Sequence, residues 1–89
     1  MADLLSICAG SPANCAQFVD GVLEAARVIQ ANEDRGAEGR LTVLCRPLVR
    51  HSASDLVARI RSRIEELPGE ADKPAALLII QAANDAAPC

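Results

Sequence analysis

Cysteine placement constrains this chain more than any other feature. Cys8, Cys15, Cys45 and Cys89 fall at separations of 7, 30 and 44 residues, and no two form a Cys-x-x-Cys pair. Zinc fingers and thioredoxin-like motifs need such close pairs, so neither chemistry is indicated. An even number of cysteines scattered through 89 residues instead predicts two disulfide bonds. The competing reading is four buried thiols packing as small hydrophobes, which is common in reducing compartments. The apolar content favours the cross-links. Seventeen residues are Ala, and only 23 are Leu, Ile, Val or Phe, so the core is thin. A domain of this size buries roughly 60 % of its unfolded surface and is marginal without restraints. Closing two long loops stabilises such a fold by roughly 3 to 5 kcal/mol each in the chain-entropy model. Disulfides also imply an oxidising compartment. Met1-Ala2-Asp3 lacks the basic start and apolar stretch of a secretory leader. The expectation is therefore a mature form whose leader has been replaced by a start Met.

Residues 1–89 make one domain at most. Phe18 is the sole aromatic residue and the net charge is −3. Single-stranded nucleic acid needs aromatic faces along a basic groove, so that class of partner is excluded. No apolar run approaches the roughly 20 residues of a membrane span, so no membrane insertion is expected.

The pattern along the chain is helical. Leu4 to Cys8 is a short apolar segment ending at Ala9-Gly10. Ser11-Pro12 then opens a helix, with Ser as cap and Pro at a position where its missing N–H costs nothing. Cys15, Val19, Val22, Ala26 and Ile29 repeat at helical spacing, widened by Phe18 and Leu23, and the stripe runs to about Ala31. Asn32 to Arg40 carries two Gly and five charges and reads as an exposed loop. Leu41 to Cys45 has strand propensity but no partner strand, which favours an extended segment laid over the helices. Ser52-Ala53-Ser54-Asp55 caps a second amphipathic helix that Pro68-Gly69 stops. Asp72-Lys73-Pro74 begins a third, apolar on nearly all sides from Ala75 to Ala83 and hence the most buried. The expected fold is all-α: a small disulfide-stapled bundle of three main helices plus a short amino-terminal helix.

Candidate chemistry is sparse. His51 is the only His, and with Cys45 it would make a nucleophile pair only if that thiol were reduced and oriented. A Cys/His metal site would need the fold to gather distant ligands. Glu33-Asp34 and Glu65-Glu66 are adjacent pairs, which do not face each other for acid–base work. No phosphate-binding Gly-rich loop or nucleophile elbow occurs. No catalytic, cofactor or metal role is therefore assigned. Arg46, Arg50, Arg59, Arg61 and Arg63 fall within 18 residues against one acid, Asp55, giving a local positive field that suits an anionic surface or solvent.

The order of motifs carries more than any one of them. Asn14 to Val22 resembles the Cys-x-Gly-Tyr-x-x-Gly helix start of the Rap/Tai family, immunity proteins against type VI secretion amidases. Leu44-Cys45-Arg46-Pro47 is similar to that family's Phe-Cys-x-Pro, and Leu56 to Pro68 resembles its following helix, which ends in His-Pro. Ala75 to Cys89 resembles its last helix, which ends in Phe-Pro-Cys, and Cys8 stands where the family has its first Cys. Ile7 replaces a Trp, Asn14 and Phe18 replace Tyr, and Gln17 replaces Gly, all at packing positions.

The resemblance implies a small helical periplasmic protein, often a homodimer, that blocks the Cys/His site of a peptidoglycan-cleaving amidase. Such an inhibitor needs a rigid scaffold, which lowers the ordering cost of binding, and a protruding element. The Asn32–Arg40 loop is the candidate protrusion, with Glu33, Asp34, Arg35 and Glu38 as contacts. Three cysteine pairings are open. The favoured one joins Cys8 to Cys45 and Cys15 to Cys89, tying both ends to the core, because a Cys8–Cys15 link closes only a short loop. Dimerisation is assigned to the leftover apolar positions Leu41, Val43, Leu48 and Val49. The alternative function is a general periplasmic helical binding or chaperone-like protein with no toxin partner.

Overall fold

The structure is a computed structural model that describes residues 4–35 and 42–89. Its elements follow the all-α expectation: α1 (Leu4–Gly10), α2 (Pro12–Arg35), α3 (Ala53–Glu66), a 3-10 turn (Pro68–Asp72) and α4 (Ala75–Ala86), with no strand among the described residues. Ser11 alone separates the first two helices. Its N–H donates to the Ile7 carbonyl at 3.1 Å, closing α1, and its Oγ accepts from the Asn14 N–H at 3.3 Å, opening α2.

Helix α2 packs against α1, α3 and α4. Its buried residues are Cys15, Val19, Leu23, Ala26 and Gln30, so the inward stripe is rotated from the expected one at its far end. Ile29 is 48 % exposed while Gln30 is only 5 % exposed. An amide thus sits where periodicity placed an aliphatic side chain. The helix also runs to Arg35, one turn beyond the expected stop at Ala31. Nothing in Asn32-Glu-Asp-Arg35 breaks a helix, and the next Gly after Gly21 comes only at position 36.

Helix α3 begins at the expected cap, where Ser52 Oγ accepts from the Asp55 N–H at 3.0 Å. It buries Leu56, Val57 and Ile60. Pro68 cannot continue it, and the chain tightens into the 3-10 turn. That turn is pinned by Glu70, which accepts from Arg63 Nε at 2.8 Å and from Lys73 Nζ at 2.9 Å. Helix α4 buries Ala75, Leu78, Ile79, Ala82 and Ala83. It is not apolar to the core on every side, since Ala76 and Leu77 face solvent, and Pro74 supplies its N-cap position with no side-chain cap. The largest fully buried side chains, Val19, Leu23, Leu56, Ile60 and Ile79, come from all three long helices and form one core.

Candidate protein-binding surface

Both pairs of cysteines are oxidised, but not in the favoured pairing. Cys8 bonds Cys15 and Cys45 bonds Cys89. The reason is local geometry. With only Ser11 between them, α1 and α2 fold back as a hairpin and bring the Cα atoms of Cys8 and Cys15 to 4.5 Å. Distances of about 4.4–6.8 Å are what a disulfide spans, and loop length has no vote once they are met. Cys45 and Cys89 lie 4.8 Å apart at Cα, and that bond closes the long loop. Cys45 sulfur is therefore committed to a cross-link and not to a nucleophile pair with His51.

The Cys45–Cys89 bond fastens the irregular segment from residue 42 to α3, which has no partner strand among the described residues. Two side-chain amides take the strand's place. Gln30 Oε1 accepts from the Val43 and Leu44 N–H groups at 2.6 and 2.9 Å. Asn84 Oδ1 accepts from the Cys45 N–H at 3.0 Å while its Nδ2 donates to the Val43 carbonyl at 3.0 Å. Farther on, Arg27 Nε donates to the Pro47 carbonyl at 2.9 Å and Arg46 Nε to the Pro88 carbonyl at 2.9 Å. A turn bond from the Val49 N–H to the Arg46 carbonyl at 3.2 Å completes the brace. The backbone groups of this segment thus find partners on α2, on α4 and beyond α4, as buried polar groups must.

At the crest of this braced turn Leu48 is 92 % exposed, beside the half-exposed Val49. Leu48 lines an open recess of about 230 Å³ with Glu24, Arg27, Pro47 and Arg50. Glu24 is already engaged with Arg27 at 3.6 Å. Arg50 has no acidic partner among the described residues. The other clustered arginines divide their roles: Arg59 pairs with Asp55 at 3.6 Å, and Arg63 joins Glu70 and Asp85. Lys73 and then Arg63 hold the Glu70 carboxyl below its ordinary range, and Glu70 in turn raises Arg63.

The expected contact residues are split. Glu33, Asp34 and Arg35 form the last turn of α2, not a loop, with Asp34 and Arg35 exposed and Asp34 Oδ1 accepting from Gln30 Nε2 at 3.0 Å. Glu38 and Leu41 lie outside the described residues. Val43, assigned to a dimer contact, is half-buried and packs on the core, which leaves Leu48 and Val49 as the exposed members of that set. A second, apolar groove of about 460 Å³ runs over the Cys8–Cys15 bond, lined by Pro12, Ala16, Ala53 and Val57 with Arg61 at its rim. No helix among the described residues is long and apolar enough to cross a membrane. The two disulfides fit an oxidising environment. In comparisons with family models, curated proteins and solved structures, nothing matches this chain.

Proposed function

We propose that this chain is a periplasmic immunity-type protein that binds a type VI secretion peptidoglycan amidase and blocks its active site. The observation that carries the reading is a small helical body cross-linked twice. Cys45–Cys89 and the Gln30 and Asn84 amides hold an irregular segment fast against the helices. A blocker of this kind needs shape, little ordering cost on binding, and no reactive group of its own. The order of the four cysteines and of the Cys-Arg-Pro and Pro-Cys motifs supports the same partner class. The last turn of α2 and the residues after it, Glu33, Asp34, Arg35 and Glu38, remain the first contact set to test.

Co-purification with a candidate small Cys/His amidase, followed by peptidoglycan hydrolysis with and without the chain, tests the reading. Stoichiometric loss of hydrolysis is the expected result, and full hydrolysis with no complex overturns it. Inhibition that is unchanged in Arg35→Glu with Glu38→Arg removes those residues from the contact set. The apolar groove over Cys8–Cys15 favours a second reading, a binding protein without a toxin partner. It predicts that the purified chain suppresses aggregation of an unfolded client protein, which a dedicated immunity protein does not.

A further inference from the structure

The turn at 46–50 combines exposure, bracing and charge. Leu48 is almost wholly exposed in a chain short of large apolar side chains. The backbone beneath it is fixed from three sides, by Cys45–Cys89, by Arg27 on the Pro47 carbonyl and by Asn84 on the Cys45 N–H. Its surroundings carry a positive excess although the chain is acidic overall: Arg46 and Arg50 flank Leu48, and Arg27, bonded to the same turn, is offset by Glu24 in the recess. Mobile connectors show none of this bracing, and a solvent-facing turn gains nothing from a Leu at its crest. A preorganised apolar side chain within a positive rim is suited to docking.

We infer that Leu48, with Arg50 beside it, anchors an interaction surface for another protein that presents a small apolar recess bordered by carboxylates. Charge selects this occupant over a second copy of the chain. A two-fold dimer through this turn sets the patch against itself, so Arg46 and Arg50 would meet the same arginines. An acidic partner meets complementary charge, gains in encounter rate and excludes self-association. The surface is separate from the last turn of α2, and it holds whether or not the partner is an amidase.

The test places a photo-reactive benzoylphenylalanine at position 48, and separately at the exposed Glu65, in the full oxidised chain expressed in its host. Irradiation and mass spectrometry identify what is cross-linked, and titration calorimetry with the purified partner then compares the parent chain with Leu48→Asp and Arg50→Glu. The expected result is one protein captured from position 48 and not from 65, with the cross-link mapping to a carboxylate-rimmed apolar recess. Leu48→Asp should then weaken binding about tenfold or more, and Arg50→Glu should lower the association rate in low salt. Leu48 supports nothing in the core, so both variants keep the parent melting temperature. Capture of a second copy, no capture, capture equally from 65, or binding of Leu48→Asp within about twofold of the parent each overturns the inference. A partner that is no amidase removes the immunity reading and leaves the surface standing. An amidase that binds Leu48→Asp unchanged does the reverse.

Discussion

Two amides, Gln30 and Asn84, do at residue scale what a neighbouring strand does in a sheet. Removing either leaves N–H groups of residues 43–45, buried at Leu44 and part-buried at Val43 and Cys45, without their amide acceptors. Gln30→Ala and Asn84→Ala are each expected to lower stability by about 1–3 kcal/mol in urea unfolding. Because both clamp one segment, the double variant should lose less than the sum. Leu56→Ala, by contrast, removes a wholly buried side chain and should cost about 2–5 kcal/mol. These two kinds of site differ in how visible they are beforehand. Leu56 is legible from helical spacing alone. Gln30 is not, because Ile29 satisfies the apolar period equally well, and the bond that draws the amide inward comes from a segment thirteen residues away. Asn84 is hidden for the same reason, its partners lying 39 and 41 residues off.

Among the elements, helix starts were legible and chain reversals were not. Ser11-Pro12 and Ser52 mark their helices because capping is local chemistry. The α1–α2 hairpin depends on how two helices meet across one residue, and that meeting is what decides the disulfides. The pairing makes the two bonds unequal. The chain-entropy model assigns about 4 kcal/mol to the link closing the longer loop and about 2 kcal/mol to the shorter. Replacing Cys45 and Cys89 with Ser should therefore depress the melting temperature clearly more than replacing Cys8 and Cys15, as scanning calorimetry of the two variants would read. The 3-10 turn adds a pH dependence. Lys73 and Arg63 hold Glu70 below its ordinary carboxylate pKa. Its contribution is therefore complete above about pH 4–5, where the unfolded carboxylate is also ionised. It fades as pH falls through the lower folded value. The gap in melting temperature between the parent and Glu70→Gln should be constant near neutrality and close on acidification. A gap that widens in acid would contradict the ion-pair account.

At the scale of the whole molecule, the described helices pack into an elongated body with extents of 42 × 27 × 22 Å, the long axis matching the roughly 36 Å of a 24-residue helix. Its thin core leaves the cross-links a large share of a stability that is typically about 5–15 kcal/mol. Reductant should accordingly lower the helical circular-dichroism signal at 37 °C, and reoxidation should restore it. The fold class followed from spacing and composition. The turn was legible only in part: Leu48 and Val49 stood out as leftover apolar positions, but so did Val43, and which of them faces solvent depends on how the segment is braced.

The cysteines join in the order in which they occur, first with second and third with fourth. Wherever oxidation follows the chain from its amino terminus, the early pair closes before Cys45 is exposed, and Cys45 then has only one free thiol left to meet. A simple oxidase acting on the nascent chain reaches the native state by this route, with no reshuffling step to wait for. Cells lacking a disulfide isomerase should accumulate this protein at the same level, and as correctly bridged, as cells that have one.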